Sequence, residues 1–275
     1  SVAQPSIAFI GTGNMAGAIL EGLIATGYPV DKLWATRRQL DKLASFAERG
    51  VHTTTDNHLA INASEIVVIS VKPQMMRDTL TELAPTLQQR KPLLISVAAG
   101  ISCDSLERWA GGELAVIRSM PNTPSLLKLG ASGLFANPRV SDEQKAQASA
   151  IAEAVGIATW CDTEEGIDQV TAVSGSGPAY FFLMMEKMIE AAQALGMSPE
   201  AARQLTIQTA KGAAEMAAQT GIEPAQLRKN VTSPGGTTEQ AINSFEQDQL
   251  GEVVLRAMTA CKNRAAEMSE QLGKD

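Results

Sequence analysis

The stretch that most limits what this chain can become is Ile7-Ala8-Phe9-Ile10-Gly11-Thr12-Gly13-Asn14-Met15-Ala16-Gly17. A short apolar run leads into G-x-G-x-x-A, and a helical pattern (Ile19, Leu20, Leu23, Ile24) follows it up to Gly27. Strand, glycine turn and helix in that order fit the first βαβ unit of a dinucleotide-binding domain. Gly11 permits the tight turn, Gly13 lets a pyrophosphate approach the backbone, and Ala16 is small enough for the helix to lie on the strand. Ile10, Gly11, Thr12, Gly13, Asn14, Met15 and Ala16 are accordingly read as cofactor-binding. The implied fold class is α/β, a Rossmann-like N-terminal domain with a mostly parallel sheet.

The end of the second strand (Lys32 to Ala35) chooses the cofactor. An acidic residue there binds ribose hydroxyls, and basic groups accept a 2′-phosphate. The chain reads Thr36-Arg37-Arg38, with no carboxylate. Two arginines and a hydroxyl suit a dianionic phosphate, so NADPH is favoured over NADH. The competing reading is a solvated charge pair opening the helix that contains Leu40, Leu43 and Phe46.

Strands and helices go on alternating. Residues 65–71 (EIVVISV) and 93–100 (LLISVAAG), the latter with small residues at its end, read as strands covered on both faces. Their C-terminal ends are where open α/β sheets bind ligands, which adds Val71, Lys72, Pro73, Val97, Ala98 and Ala99 to the cofactor set; the competing readings are a surface lysine before a helix at Lys72 and plain strand-to-turn chemistry at Val97 to Ala99. A third short strand near Val51 to Thr55 puts Asn57 at the adenosine end. His52 and His58 have no evident partner for proton transfer and are not read as catalytic. Another strand (114–119) precedes Met120-Pro121-Asn122-Thr123-Pro124, a loop stiffened by two prolines, in which Asn122 either offers an amide to a ligand or only shapes the turn. Residues 131–136, a helix opened by Ser141-Asp142-Glu143, and residues 157–160 complete this half.

After Thr163 strand patterns give way to helical ones, which divides the chain into 1–163 and 164–275. Ser174-Gly175-Ser176-Gly177-Pro178 opens a helix that is apolar around much of its circumference, as a core or subunit-interface helix is. Ser198-Pro199-Glu200 caps the next, which runs to Gly221, and Glu223-Pro224 opens a third. Then comes Val231-Thr232-Ser233-Pro234-Gly235-Gly236-Thr237-Thr238-Glu239. Pro234 interrupts the helix, the glycines turn sharply, and Thr237 or Thr238 fits the N-cap of a new helix. Such a turn aims free N–H groups at one point, a ready anion site, although it also serves as a plain connection between helices. A last helix spans roughly Asp248 to Leu272.

Composition narrows the function classes. The 275 residues carry a net charge of −7, the opposite of the basic face nucleic acid requires. No apolar run is long enough to span a bilayer, and Ser1 to Ser6 lack the basic and apolar segments of a signal peptide. Cys103, Cys161 and Cys261 are odd in number and far apart, which reads as reduced thiols in a cytoplasmic protein. Two histidines and no His/Cys cluster make a metal site improbable.

Taken together, the glycine turn, Val71-Lys72-Pro73, Met120 to Pro124, Ser174 to Tyr180, and above all Val231 to Thr238 followed by Ala241-Ile242 and Phe245-Glu246, closely resemble pyrroline-5-carboxylate reductases over essentially the whole length. The resemblance implies reduction of 1-pyrroline-5-carboxylate to L-proline with NAD(P)H, the last step of proline biosynthesis. It also implies an all-α C-terminal dimerisation domain, with a homodimer as the unit of higher homo-oligomers. By the same resemblance Ser233 and Thr238 contact substrate, with Glu164 close by and Asn230 near the cofactor; the substrate's carboxylate suits the N–H groups at Gly236, Thr237 and Thr238, in the turn that Gly235 opens. Thr238 and Glu164 are the expected catalytic residues. The chain has no obvious proton-donor constellation, and a cyclic imine needs none, because it is basic enough to be protonated before attack. Thr238 would then hydrogen-bond the ring nitrogen, and Glu164 would favour the cation. Two other readings compete: a 3-hydroxy-acid dehydrogenase using Lys187, and a non-catalytic NADP(H) sensor.

Overall fold

The computed structural model describes residues 4–274, so the reading of Ser1 to Ser6 falls partly outside the described residues. Eight strands form one sheet: β1 (Ile7–Ile10), β2 (Leu33–Thr36), β3 (His52–Thr54), β4 (Ile66–Ile69), β5 (Leu93–Ser96), β6 (Val116–Met120), β7 (Gly130–Ala136) and β8 (Gly156–Trp160). Their order is β3-β2-β1-β4-β5-β6-β7-β8, and only β7 runs antiparallel to its neighbour β6. The order reverses between β1 and β4, the switch point at which open α/β sheets bind ligands. The helices are α1 (Asn14–Ala25), α2 (Ala44–Glu48), α3 (Asn57–Asn62), α4 (Pro73–Arg90), α5 (Cys103–Trp109), α6 (Asp142–Glu153), α7 (Glu165–Val170), α8 (Gly177–Ala194), α9 (Pro199–Thr220), α10 (Pro224–Asn230), α11 (Thr237–Gln247) and α12 (Leu250–Leu272).

The sheet's central strands are buried on both faces, as their apolar runs demand. Phe9, Leu20, Leu33 and Val68 pack on one side with α1 and α6. Ile10, Ile69, Leu80 and Leu106 pack on the other with α4 and α5. Ser141 heads α6 in a full capping box with Gln144, the start its sequence proposes. The helix expected around Leu40 to Phe46 instead begins as a 3-10 turn (Leu40–Leu43) and becomes α-helical only over α2.

Two compact units emerge. Gly177–Ala260 form one, and the rest of the described chain, including the end of α12 from Cys261 onward, forms the other. The nucleotide-binding unit thus runs past Thr163 through α7 and a π-helical turn (Thr171–Gly175). The second unit is entirely helical. Phe181, Phe182 and Leu183 on α8 and Leu205 on α9 are more than half exposed within the chain. For large apolar groups on neighbouring helices, that exposure marks a surface built for contact.

Candidate active site

In the nucleotide-binding unit the site is built at the C-terminal ends of β1, β2, β4 and β5. Gly11 has φ +77°, and a Cβ there would lie 2.9 Å from Cγ1 of Val71, so only glycine fits the turn. Gly13 caps α1 with extended backbone, and a Cβ on it would meet nothing within 4 Å. That open space lies at the head of a three-turn helix. The N–H groups of Asn14, Met15 and Ala16 have no partner inside the helix, whereas Gly17 N–H already donates to Gly13 O at 2.8 Å. Open space over glycine and free amides at a positive helix end fit a pyrophosphate, and so the residues present fit the dinucleotide the sequence implies.

Thr36 departs from its sequence reading. Its side chain is buried, and its Oγ1 accepts from Gly11 N–H at 3.3 Å while Thr12 N–H donates to Thr36 O at 2.9 Å. The hydroxyl holds the glycine turn against β2 and does not face a 2′-phosphate. Arg37 donates through Nη1 to Thr12 O at 3.2 Å, leaving Arg38 as the exposed cation of the pair. Asn57 opens α3 beside Asp56, whose carboxylate accepts from His58 and Leu59 N–H. Lys72 caps α4 with its side chain exposed, and Pro73 takes the first helical position. Val97, Ala98 and Ala99 follow β5 and are half-buried.

Asn122 is latched internally. Its Nδ2 donates to Ser174 O at 3.0 Å and its Oδ1 accepts from Ala131 N–H at 2.9 Å. It therefore ties the proline-rich loop to β7 and to the π turn, the shaping role that the sequence left open. The histidines are anchors. His52 stacks on Trp34 with ring centroids 4.5 Å apart, and His58 Nδ1 lies 2.5 Å from Thr86 Oγ1.

Glu164, at the head of α7, is also in this unit. Its Oε2 accepts from Arg118 Nη1 at 3.0 Å and from Cys103 N–H at 2.8 Å. Arg118, on β6, is 4% exposed, and its Nε finds no hydrogen-bond partner. The sequence reading missed Arg118, although one charge in the apolar run 114–119 was the available signal. Asp168, which also lines the small cavity beside Arg118, has its pKa raised by burial, with the Arg118 charge acting the other way. Burial pushes up the Cys103 and Cys161 thiols, so neither is a ready nucleophile. Among the described residues no group of three or more His, Cys, Asp or Glu is placed to hold a metal ion.

The turn from Val231 to Thr238 lies in the helical unit. Gly235 has φ +74°, and Gly236, not Thr237 or Thr238, is the N-cap of α11, with extended backbone and no side-chain cap. The threonines are displaced into the first turn because Pro234 and Gly235 already spend a tight turn ahead of them. Gly236 N–H donates to Ser233 O at 3.0 Å, and Gly235 N–H to Glu239 Oε1 at 3.1 Å. Neither glycine amide is free for a ligand. The amides without a partner inside the helix are those of Thr237, Thr238 and Glu239, one residue further on than the sequence proposes. Asn230 ends α10, its Oδ1 accepting from Gln226 Nε2 at 2.8 Å.

Residues 164–268 match the family description "Pyrroline-5-carboxylate reductase dimerisation", and residues 6–100 match "NADP oxidoreductase coenzyme F420-dependent". A pyrroline-5-carboxylate reductase from Pseudomonas aeruginosa is 49% identical over 99% of this chain and 100% of its own length. The chain belongs to the pyrroline-5-carboxylate reductase family. A family member from Vibrio alginolyticus is 46% identical over 96% of this chain and 97% of that protein. The solved pyrroline-5-carboxylate reductase of Coxiella burnetii superimposes with a TM-score of 0.93 at 47% identity, covering 97% of this chain and 99% of that one. The Plasmodium falciparum pyrroline carboxylate reductase, solved with NADP bound, gives a TM-score of 0.84 at 28% identity, covering 98% of this chain and 100% of that one.

Proposed function

We propose that this chain reduces 1-pyrroline-5-carboxylate to L-proline, closing proline biosynthesis, with NADPH as the preferred cofactor and NADH as a usable one. The observation that carries the reading is the turn at the head of α11, whose three unspent amides suit the carboxylate of a small cyclic imine. Near-full-length identity to proteins named for this reaction supports it.

The bound reduced nicotinamide supplies the hydride. The rest is positioning by the chain. Gly11 and Gly13 let the backbone close on the pyrophosphate, Arg38 stands exposed beyond β2 for a 2′-phosphate, and Val97 to Ala99 keep the end of β5 free of bulk. Ser233, Thr237 and Thr238 hold the substrate's acid, and the Thr238 hydroxyl is assigned to the ring nitrogen, which carries its own proton. Fixing two reactants in one geometry can lower the barrier by as much as about 7–11 kcal/mol without any acid–base group. Glu164 is proposed as a positioning residue. The Arg118 guanidinium 3.0 Å away already matches its charge, which leaves little net field for a cationic substrate.

Lys187 gives no support to the hydroxy-acid reading. It is 60% exposed, with its ammonium 3.2 Å from Glu190. The apolar α8 surface supports a homodimer formed through the helical unit, and the net charge of −7 argues against nucleic acid. Among the described residues no helix is long and apolar enough to cross a membrane. A cytoplasmic location is proposed from three unpaired thiols.

Following nicotinamide absorbance with pyrroline-5-carboxylate, using NADPH and NADH in parallel, tests the function. Turnover with both and a lower KM for NADPH is expected, and no oxidation of either would refute it.

A further inference from the structure

Beside Arg118 the first unit encloses a cavity of about 190 Å³, far more than the ~10–15 Å³ that one water needs. Two opposite charges line it without pairing. Arg118 is 4% exposed, its guanidinium makes one hydrogen bond, from Nη1 to Glu164 Oε2, and its buried Nε makes none. Among the described residues the Asp168 carboxylate has neither a hydrogen-bond nor an ion-pair partner, although it feels the Arg118 charge. Buried polar groups left unspent are costly, so two of opposite sign on one cavity mark a place for a molecule that satisfies both. Ser176 adds a donor, because its Oγ accepts from Cys261 Sγ at 3.2 Å and keeps its own proton to give. Arg264 also lines the cavity and is paired with Glu267 at 3.1 Å. Ala99, which follows β5, and Ala265 and Met268 of α12 supply an apolar wall.

We infer that this cavity binds a small aliphatic α-amino acid as its zwitterion, with the carboxylate on Arg118 and Ser176, the ammonium on Asp168 and the side chain against Ala265 and Met268. The lining selects this class. A simple anion would meet the Asp168 carboxylate, and a simple cation the Arg118 guanidinium. Water alone would satisfy both charges but would also wet the apolar wall, which an aliphatic side chain covers. Burial raises the Asp168 pKa, and an ammonium set against it restores the charged form. The occupant touches Ala99, at the end of the strand whose small residues leave room for the nicotinamide, so occupancy is felt in turnover. That coupling rests on the function proposed above, whereas the binding site itself does not.

Saturation-transfer difference NMR on the full, NADPH-loaded protein, with L-alanine as the probe, reads occupancy whatever reaction the protein catalyses. Transfer to the alanine methyl is expected in the parent and in Thr238→Ala, which alters only the turn assigned to substrate. Asp168→Asn should weaken alanine binding at least tenfold, and Met268→Trp, which fills the apolar end, should abolish it. Acetate and methylamine, each carrying one of the two charges, should bind at least tenfold more weakly than alanine. Absence of transfer in the parent would overturn the inference. So would loss in Thr238→Ala with none in Asp168→Asn, which moves the probe to the substrate turn, or a crystal soaked with L-alanine that holds only water between Arg118 and Asp168. In turnover, L-alanine should change kcat at saturating pyrroline-5-carboxylate, which a competitor of the substrate cannot do. An unchanged kcat alongside demonstrated binding would overturn the coupling and leave the site.

Discussion

Glu164 and Arg118 meet at 3.0 Å across the junction between the head of α7 and β6, and the same carboxylate oxygen caps the first amide of α5 through Cys103. One side chain thus fastens the sheet, the segment after β5 that carries Val97 to Ala99, and the first residue of the dimerisation-matched segment. Glu164→Gln leaves a buried guanidinium without its counter-charge. A fully buried pair broken in this way costs about 3–5 kcal/mol. Because Glu164 is 32% exposed, about 2 kcal/mol is expected here, read from urea unfolding. Adding Arg118→Met should return part of it. A positioning role also predicts a fall in kcat with little change in the KM for pyrroline-5-carboxylate, whereas a direct role in favouring the substrate cation predicts a shifted pH profile.

Arg38→Ala separates the two cofactors. Arg37 is engaged with Thr12 O and Thr36 is buried, which leaves Arg38 as the exposed group for a 2′-phosphate. The KM for NADPH should rise about tenfold, equivalent to ~1.4 kcal/mol, with the KM for NADH nearly unchanged. Steady-state kinetics with both cofactors reads the difference, and equal losses would remove Arg38 from phosphate recognition.

Thr238→Ala should raise the substrate KM several-fold and lower kcat, because one hydroxyl contact is lost while the helix amides remain. Gly235→Ala is expected to act through the backbone. A Cβ there meets no neighbour, but φ +74° costs a non-glycine residue about 1–2 kcal/mol. Its effect should therefore be weaker carboxylate capture, seen as a raised inhibition constant for proline, with NADPH binding unaltered in a fluorescence titration.

The pH response has a signed prediction at Tyr28. Burial, reinforced by Glu65, pushes its phenol up to about 12, and its hydroxyl donates to Pro5 O. The folded value lies above the ordinary value of 10. Its contribution to stability is therefore complete below pH 10 and is lost as pH rises through 12. Tyr28→Phe should cost about 1 kcal/mol near neutrality for the lost hydrogen bond, and should flatten the decline in unfolding free energy above pH 10.

The first six strands were legible in order, because runs such as Ile66–Ile69 and residues 93–95 are apolar throughout and lead into turn residues. So was the start of α9, where the Ser198 hydroxyl at the N-cap accepts from Ala201 N–H, with Pro199 and Glu200 in the first turn as their residue types dictate. Three features were not. Short α3 and α5 carry too little periodicity to stand out, and their caps, Asp56 and Ser102, are ordinary polar residues until the chain is folded. The inward turn of the Thr36 hydroxyl and the double latch on Asn122 depend on partners many residues away, Gly11 and Ser174. The one-residue shift of the free amides, from Gly236, Thr237 and Thr238 to Thr237, Thr238 and Glu239, depends on where Pro234 and Gly235 let α11 begin, and residue type alone leaves that open by one position.

The closing helix has a further implication. From Cys261 onward α12 rejoins the first unit, where Met268 and Leu272 lie on Gly100, and Arg108 Nη2 holds Gly273 O at 2.9 Å. The helical segment is thus spliced into the chain of its neighbour rather than appended to it. Expressing the opening 176 residues by themselves would strip the end of β5 of its covering, whereas a nick in the turn around Gly196 would leave both fragments carrying part of the nucleotide-binding half.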